Sequence, residues 1–134
     1  MTMTTAIPAE LADLLTREKR AFAHLALTLN DGTPQVTPVW FDWDGEHLIV
    51  NTARGRVKDN VLRRHPVVAV AISDPHDPYR YLQIKGAVVA EDEADGRAMI
   101  DSLSQKYLDK PYPFYRGETR VTYRIKPTRV QTNR

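Results

Sequence analysis

The 134-residue sequence contains no cysteine, which excludes disulfides, a thiolate nucleophile and a thiolate metal site. Its four histidines are scattered and none forms an HExxH pair, so no metal centre is expected. Long apolar runs are also missing: nothing approaches the roughly 20 consecutive apolar residues of a membrane helix. The start, "MTMTTAIPAEL", lacks the charged head and apolar centre of a signal peptide, and the expectation is a cytoplasmic protein without membrane contact. No GxSxG, P-loop or GxGxxG occurs, which removes the usual hydrolase nucleophile and the usual nucleotide cradles. Excess charge of one sign is small as well. A formal net charge of +2 makes nucleic acid the least favoured partner class.

What is present fits one domain over residues 1–134, with 42% apolar residues, close to the globular norm. "IPAELADLLTREKR" places Pro8 at a first turn and Leu11, Leu14 and Leu15 at helical spacing, which predicts a short amphipathic helix. "AFAHLALTLNDGTPQVTPVWFDWDGEHLIVNT" holds two turn signals, Asn30-Asp31-Gly32 and Asp44-Gly45. They separate three strand-length runs and predict a three-stranded meander. In the first run Ala21, Ala23, Leu25, Leu27 and Leu29 share one face.

The continuous apolar run "VVAVAIS" predicts a strand buried on both faces. "YRYLQIKGAVVAE" predicts the next, with Gly86 at a bulge or close approach. "DEADGRAMIDSLSQKYL" carries a broad helical stripe that Gly96 weakens by about 1 kcal/mol relative to alanine. "RVTYRIKPTRVQTNR" predicts a closing strand. The count of about six strands, two helices and a helical turn makes the fold class mainly β, a small β-barrel with flanking helices.

Charge is clustered. "NTARGRVKDNVLRRHP", residues 51–66, sets Arg54, Arg56, Lys58, Arg63 and Arg64 around a single acid, Asp59, while Glu91, Asp92, Glu93, Asp95 and Asp101 gather around Arg97. The acidic group reads by default as solvated charge at a strand end and along a helix. The basic segment follows a strand, turns at Gly55 and enters a predicted helix. Helix N-terminal amides, the Thr52 hydroxyl and long cations there suit a phosphate. A solvated, salt-bridged helix face accounts for the same composition equally well.

"HLALTLNDGTPQVTPVWFDWDGEHLIVNTARGRVKDNVLRRHPVVAVAISDP" followed by "YLQIKGAVV" resembles the pyridoxamine 5′-phosphate oxidase-like, flavin-binding split β-barrel. More narrowly, the chain resembles the flavin/deazaflavin oxidoreductases that use coenzyme F420. The resemblance spans residues 8–130 and rests on ordered pieces: DG-TP-Q-V-x-P-V-W, a strand, a T-x-x-G-R-x-K turn, HP, a strand, then I-x-G. Asn60 stands early relative to the family's N-L pattern.

The resemblance implies that Arg56, Lys58 and Asn60 grip the cofactor phosphate, with Arg54 assisting. It places Asn51 and Thr52 at the ribityl chain and Gln35, Pro38, Val39 and Trp40 along the tricyclic ring. It further implies a homodimer with the cofactor in an intersubunit groove, which Tyr79 and Tyr81 approach from the partner chain. The implied activity is hydride transfer between F420 and an unsaturated or quinone-like small molecule. No catalytic side chain is singled out, and Tyr81 or solvent is the proton source considered. "DKPYPFYRG" is a candidate cover for the acceptor pocket.

Other readings stay open. FMN is the alternative cofactor, and binding without turnover the alternative role. Trp40, Phe41 and Trp43 also fit plain packing, although Trp40 and Phe41 face opposite ways and cannot line one pocket together. The tail "RIKPTRVQTNR" lacks the tryptophan of the vitamin B6 oxidases' substrate motif, which argues against that activity.

Overall fold

In β1 (Ala23–Thr28) every second residue is sealed from solvent, Ala23, Leu25 and Leu27 facing inward while His24 and Thr28 stay exposed. The structure is a computed structural model that describes residues 6–132. After β1 come β2 (Pro34–Val39), β3 (Asp42–Trp43), β4 (Leu48–Ala53), α1 (Val57–Arg64), β5 (Val67–Asp74), β6 (Asp77–Asp92), α2 (Gly96–Leu108) and β7 (Arg120–Gln131). All ladders are antiparallel, in the order β2-β1-β5-β6-β7-β4-β3. The sheet curls into a seven-stranded half-barrel with its helices against it, the mainly β split-barrel class expected.

The turn signals hold, and each works through an aspartate. Asp31 accepts from the Thr33 amide and hydroxyl, and Asp44 accepts from the Glu46 and His47 amides. The three-stranded meander does not form. β1 and β2 pair as one hairpin, while β3 and β4 form a separate hairpin at the opposite edge of the sheet. Three residues explain the departure. Pro34 and Pro38 cannot donate to a further ladder, which suits β2 to an edge, and Phe41, wholly buried, draws the chain into the core before β3 begins.

"VVAVAIS" also differs from expectation: Val68, Val70 and Ile72 are buried, but Val67 is 70% exposed and Ala71 is exposed. Because both faces carry small apolar residues, composition alone cannot separate a one-sided from a two-sided strand.

The long strand β6 pairs with β5 and with β7 and shifts register at Lys85/Gly86, where a Cβ on Gly86 would lie 2.7 Å from Ile125 Cγ2. Ahead of β1, Ala9–Leu15 forms a 3₁₀ helix rather than an α-helix and buries Leu11, Leu14 and Leu15. Arg80 of β6 fastens it, donating to Asp13 Oδ1 at 2.9 Å and to the Glu10 carbonyl at 2.9 Å.

Gly96 is the first residue of α2 rather than an interior residue, so it escapes the propensity cost expected of it. It is there for space: a Cβ would stand 2.1 Å from the Arg120 carbonyl oxygen. Gly96→Ala is therefore expected to destabilise the fold by about 3 kcal/mol, the upper end of overpacking costs, as read from the urea midpoint.

Lys106, 4% exposed on α2, donates to the Phe41 carbonyl at 2.7 Å and lies 4.0 Å above the Phe41 ring. Burial pushes its ammonium down from 10.5 to about 8. A lysine lowered on folding weakens the folded state below its folded value, and that loss is relieved as pH rises towards the unfolded value. Stability should thus rise between about pH 8 and 10.5, and Lys106→Met should flatten that rise in unfolding curves measured across the interval.

Candidate functional site

The site begins with one carboxylate. Asp59, 1% exposed in the first turn of α1, reaches back along its own turn: Oδ2 accepts from the Gly55 amide at 3.0 Å, and Oδ1 accepts from Arg54 Nη1 at 2.9 Å and from the Tyr123 hydroxyl. Burial alone would raise its pKa, but the Tyr123 hydroxyl, the Gly55 amide and the Arg54 guanidinium outweigh burial and hold it below the usual carboxylate range. The cage fixes the chain between β4 and α1 and so sets where the next residues point.

Arg54 is taken up by this cage. Besides Asp59, its guanidinium meets Glu91 at 2.7 Å and Glu93 at 2.6 Å, so part of the acidic cluster expected to be merely solvated is its countercharge. Arg56 and Lys58 differ from it. Neither side chain has an acidic partner among the described residues, and both line a cavity of about 740 Å³, within the usual range for small-molecule pockets. No side chain caps α1, which leaves the first amides of that helix open beside the two cations.

Three walls close this cavity. The first is the turn with Gly55, Arg56, Val57 and Lys58, continued by Asn51 and Thr52 of β4; the second is Gln35, Pro38 and Val39 of β2 with Trp40. Since β2 and β4 lie five places apart in the strand order, only the curl of the sheet brings them to one space. Trp40 is held from behind by Tyr107, stacked at 5.3 Å and 10°, and Tyr107 in turn stacks on Phe22 at 5.1 Å. The Tyr107 hydroxyl donates to the Ala21 carbonyl at 2.6 Å, and burial pushes it up to about 12. Gln35 Oε1 is buried and accepts no hydrogen bond among the described residues, an acceptor in the wall of a space that suits a donor.

Sequence reasoning named individual residues on these two walls but left the third to a loop. It consists of Ile100 and Leu103 of α2, Tyr112 and Phe114, and Arg120 of β7. The aromatic and proline pattern of "DKPYPFYRG" pointed to the loop, whereas nothing in the sequence set Arg120 apart from the other cations.

The cavity brings together Gln35, Pro38, Val39, Trp40, Asn51, Thr52, Arg56 and Lys58. Asn51 also spends its amide internally, donating to the Gly96 carbonyl and accepting from Arg120 Nε, both at 2.9 Å. Four residues expected at the cofactor lie outside the cavity within one chain. Arg54 is turned away by its three carboxylates. Asn60, one step further around α1, donates to the Gly55 carbonyl and borders a separate groove with Arg63, Arg64 and Glu91. Tyr79 and Tyr81 stand at the start of β6, with Tyr79 77% exposed. No group of three His, Asp or Glu side chains able to hold a metal occurs among the described residues, and none of their helices is long and apolar enough to cross a membrane.

A curled antiparallel half-barrel with a cation-edged cavity between its edge strand and its first helix defines a class, the flavin-binding type of split barrel. The sequence profile of pyridoxamine 5′-phosphate oxidase matches residues 7–134, and the chain belongs to that family. Among solved structures it is similar to an F420 reductase at 34% identity, covering 93% of this chain and 98% of that one, with a TM-score of 0.83. A conserved hypothetical protein from Mycobacterium tuberculosis shares the fold at 24% identity and TM-score 0.70, over 93% and 82% of the two chains. Group A Streptococcus HupZ does so at 16% identity and TM-score 0.66, over 93% and 92%. No curated protein matches the sequence.

The two kinds of cation should separate on substitution. Arg54→Ala leaves Asp59 buried without its cation and is expected to cost about 3 kcal/mol, whereas Arg56→Ala and Lys58→Ala should each change stability by less than about 0.5 kcal/mol. Chemical denaturation of the three variants checks this.

Proposed function

We propose that this chain, acting as one domain over residues 1–134, binds coenzyme F420 and works as an F420-dependent reductase of unsaturated or quinone-like small molecules. One observation carries the reading. A single cavity joins an apolar strand wall to two unpaired cations at an uncapped helix start, the combination required by a ligand with a flat ring and an anionic tail. The 34% identity to an F420 reductase over nearly the whole of both chains supports the deazaflavin.

The residues present fit such a cofactor. Arg56, Lys58 and the first amides of α1 would hold its phosphate, Thr52 and Asn51 would border its chain, and Pro38, Val39 and Trp40 would lie along its ring. The buried Gln35 Oε1 offers an acceptor to a donor on that ring. When bound and reduced, the deazaflavin supplies a hydride. The protein's own tasks are positioning and exclusion of water: Tyr107 fixes the plane of Trp40, and Ile100, Leu103, Tyr112 and Phe114 supply an apolar wall for the acceptor. Solvent supplies the proton that completes the reduction.

A second copy of the chain belongs to this reading. Phe22 just ahead of β1, Val36 of β2 and Val67 of β5 are 46%, 64% and 70% exposed, an apolar surface suited to a homodimer. Such a partner would bring Tyr79 and Tyr81 to the groove. FMN is the second reading, supported by the match to pyridoxamine 5′-phosphate oxidase. Its phosphate would take the same cations, and binding without turnover would make the chain a carrier.

Titration of the purified protein with F420 and separately with FMN, followed by fluorescence at fixed salt, tests the proposal. F420 is expected to bind more tightly, and tighter FMN binding would move the chain to the flavin branch. The double substitution Arg56→Ala with Lys58→Ala should weaken F420 binding by about 3 kcal/mol, on the order of 100-fold. Unchanged affinity in a folded variant would refute the phosphate assignment.

A further inference from the structure

Arg120 is the one arginine in the cavity wall that is 5% exposed, and three of its sides are already held. Nε donates to Asn51 Oδ1 at 2.9 Å, Nη1 donates to Glu118 Oε2 at 3.2 Å, and the Tyr112 ring lies 5.3 Å from the guanidinium carbon. Glu118 is itself fixed, accepting from the Arg116 amide at 2.7 Å. The fourth side, Nη2, donates to nothing within the described residues. A guanidinium immobilised on three sides inside an apolar wall, with one N–H edge open, is preorganised for an oxygen that enters the cavity.

Given the cofactor reading above, on which this step rests, β2 and the α1 turn serve the cofactor, and the remaining wall is the one that contains Arg120. We propose that Arg120 is the acceptor-binding residue: its Nη2 edge donates to the carbonyl oxygen of a planar acceptor in which that carbonyl is conjugated to a carbon–carbon double bond. Arg56 and Lys58 lie nearer solvent, on the turn, whereas Arg120 is buried among Ile100, Leu103 and Tyr112, where a flat ring packs.

The electron count follows from conjugate addition. A hydride from the reduced deazaflavin forms a C–H bond at the β-carbon of the acceptor. The C=C π pair then becomes the new Cα=C bond, and the carbonyl π pair moves onto the oxygen. That oxygen gains negative charge beside Nη2, in a site shielded from water where the hydrogen bond strengthens most. A solvent proton adds at the α-carbon and restores the carbonyl. The acceptor gains two electrons, and the deazaflavin loses them.

Binding can be measured without turnover. 1-Naphthoate presents a flat ring with a carboxylate oxygen, and quenching of Trp40 in the cavity wall reports its arrival. The wild type is expected to bind 1-naphthoate in preference to 1-methylnaphthalene. Arg120→Gln should weaken 1-naphthoate binding about 10-fold through loss of one charge-assisted hydrogen bond, while F420 affinity stays within about twofold.

Arg120→Lys keeps the charge without the fork and serves if the glutamine variant does not fold; a weakening of several-fold is expected. The Arg56→Ala, Lys58→Ala pair should show the reverse pattern, with F420 binding weakened on the order of 100-fold and 1-naphthoate binding kept. Equal affinity for 1-naphthoate in the wild type and both Arg120 variants overturns the proposal. So does a loss of F420 affinity as large as the loss of 1-naphthoate affinity. If the wild type binds neither F420 nor FMN, the cofactor reading falls, and the 1-naphthoate arm still decides whether Arg120 receives an oxygen.

Discussion

The buried carboxylate of Asp59 is the constraint on which the site depends. An ionised group sealed from water is tolerable only when its oxygens are fully engaged, and here an amide, a guanidinium and a phenol do so from two parts of the chain: the adjacent Arg54 and Gly55 in the turn after β4, and Tyr123 on β7. Because the partners converge on one point, the turn has little freedom to move alone. The same set of bonds that solves the desolvation of Asp59 aims Arg54 away from the cavity and leaves Arg56 and Lys58 at its edge. Charge balance and site geometry are therefore one arrangement.

A second constraint acts at the other end of the sheet. Two prolines keep β2 at an edge, and the burial of Phe41 pulls the chain across to start β3 on the far side. The half-barrel that results leaves a gap between β2 and β4 instead of a ladder, and α2 with the loop after it closes one side of that gap. A meander of three paired strands would have filled the space with backbone hydrogen bonds and left no cavity. Gly96 matters for the same reason, since α2 reaches β7 only because the first residue of the helix has no side chain.

Much of the local structure was legible because it depends on near neighbours. The aspartate-headed turns and the alternation in β1 are written in consecutive residues, whereas around α2 Ile100 and Leu103 are buried as expected but Ala94, Ala98 and Leu108 are exposed and Ser104 and Lys106 are buried instead. What was not legible depends on partners distant in sequence. The meander was misread because nothing in "TPVWFDW" states which strand its neighbours will choose. "VVAVAIS" was misread because Ala and Val suit either face. The cations of residues 54–64 look alike in the sequence, yet Glu91 and Glu93, almost forty positions on, separate Arg54 from Arg56 and Lys58. Arg120 stayed hidden for a related reason: its meaning comes from Asn51 and Tyr112, neither of which is its neighbour along the chain.

The groups left unsatisfied in the cavity complete the physical picture. Gln35 Oε1 has no donor, and the first amides of α1 have no side-chain cap. A buried acceptor such as Gln35 Oε1 costs roughly 1–3 kcal/mol when nothing pairs with it, and a chain selected for stability alone would cap the helix start with a serine or aspartate. Both of these deficits border one cavity, and a ligand that supplied the missing partners would recover the cost as binding free energy and stabilise the fold by mass action. The acidic residues nearest the turn are committed to Arg54 and do not neutralise Arg56 or Lys58. Positive charge at the cavity is thus retained, and the stability lost to it is kept available for an anionic ligand.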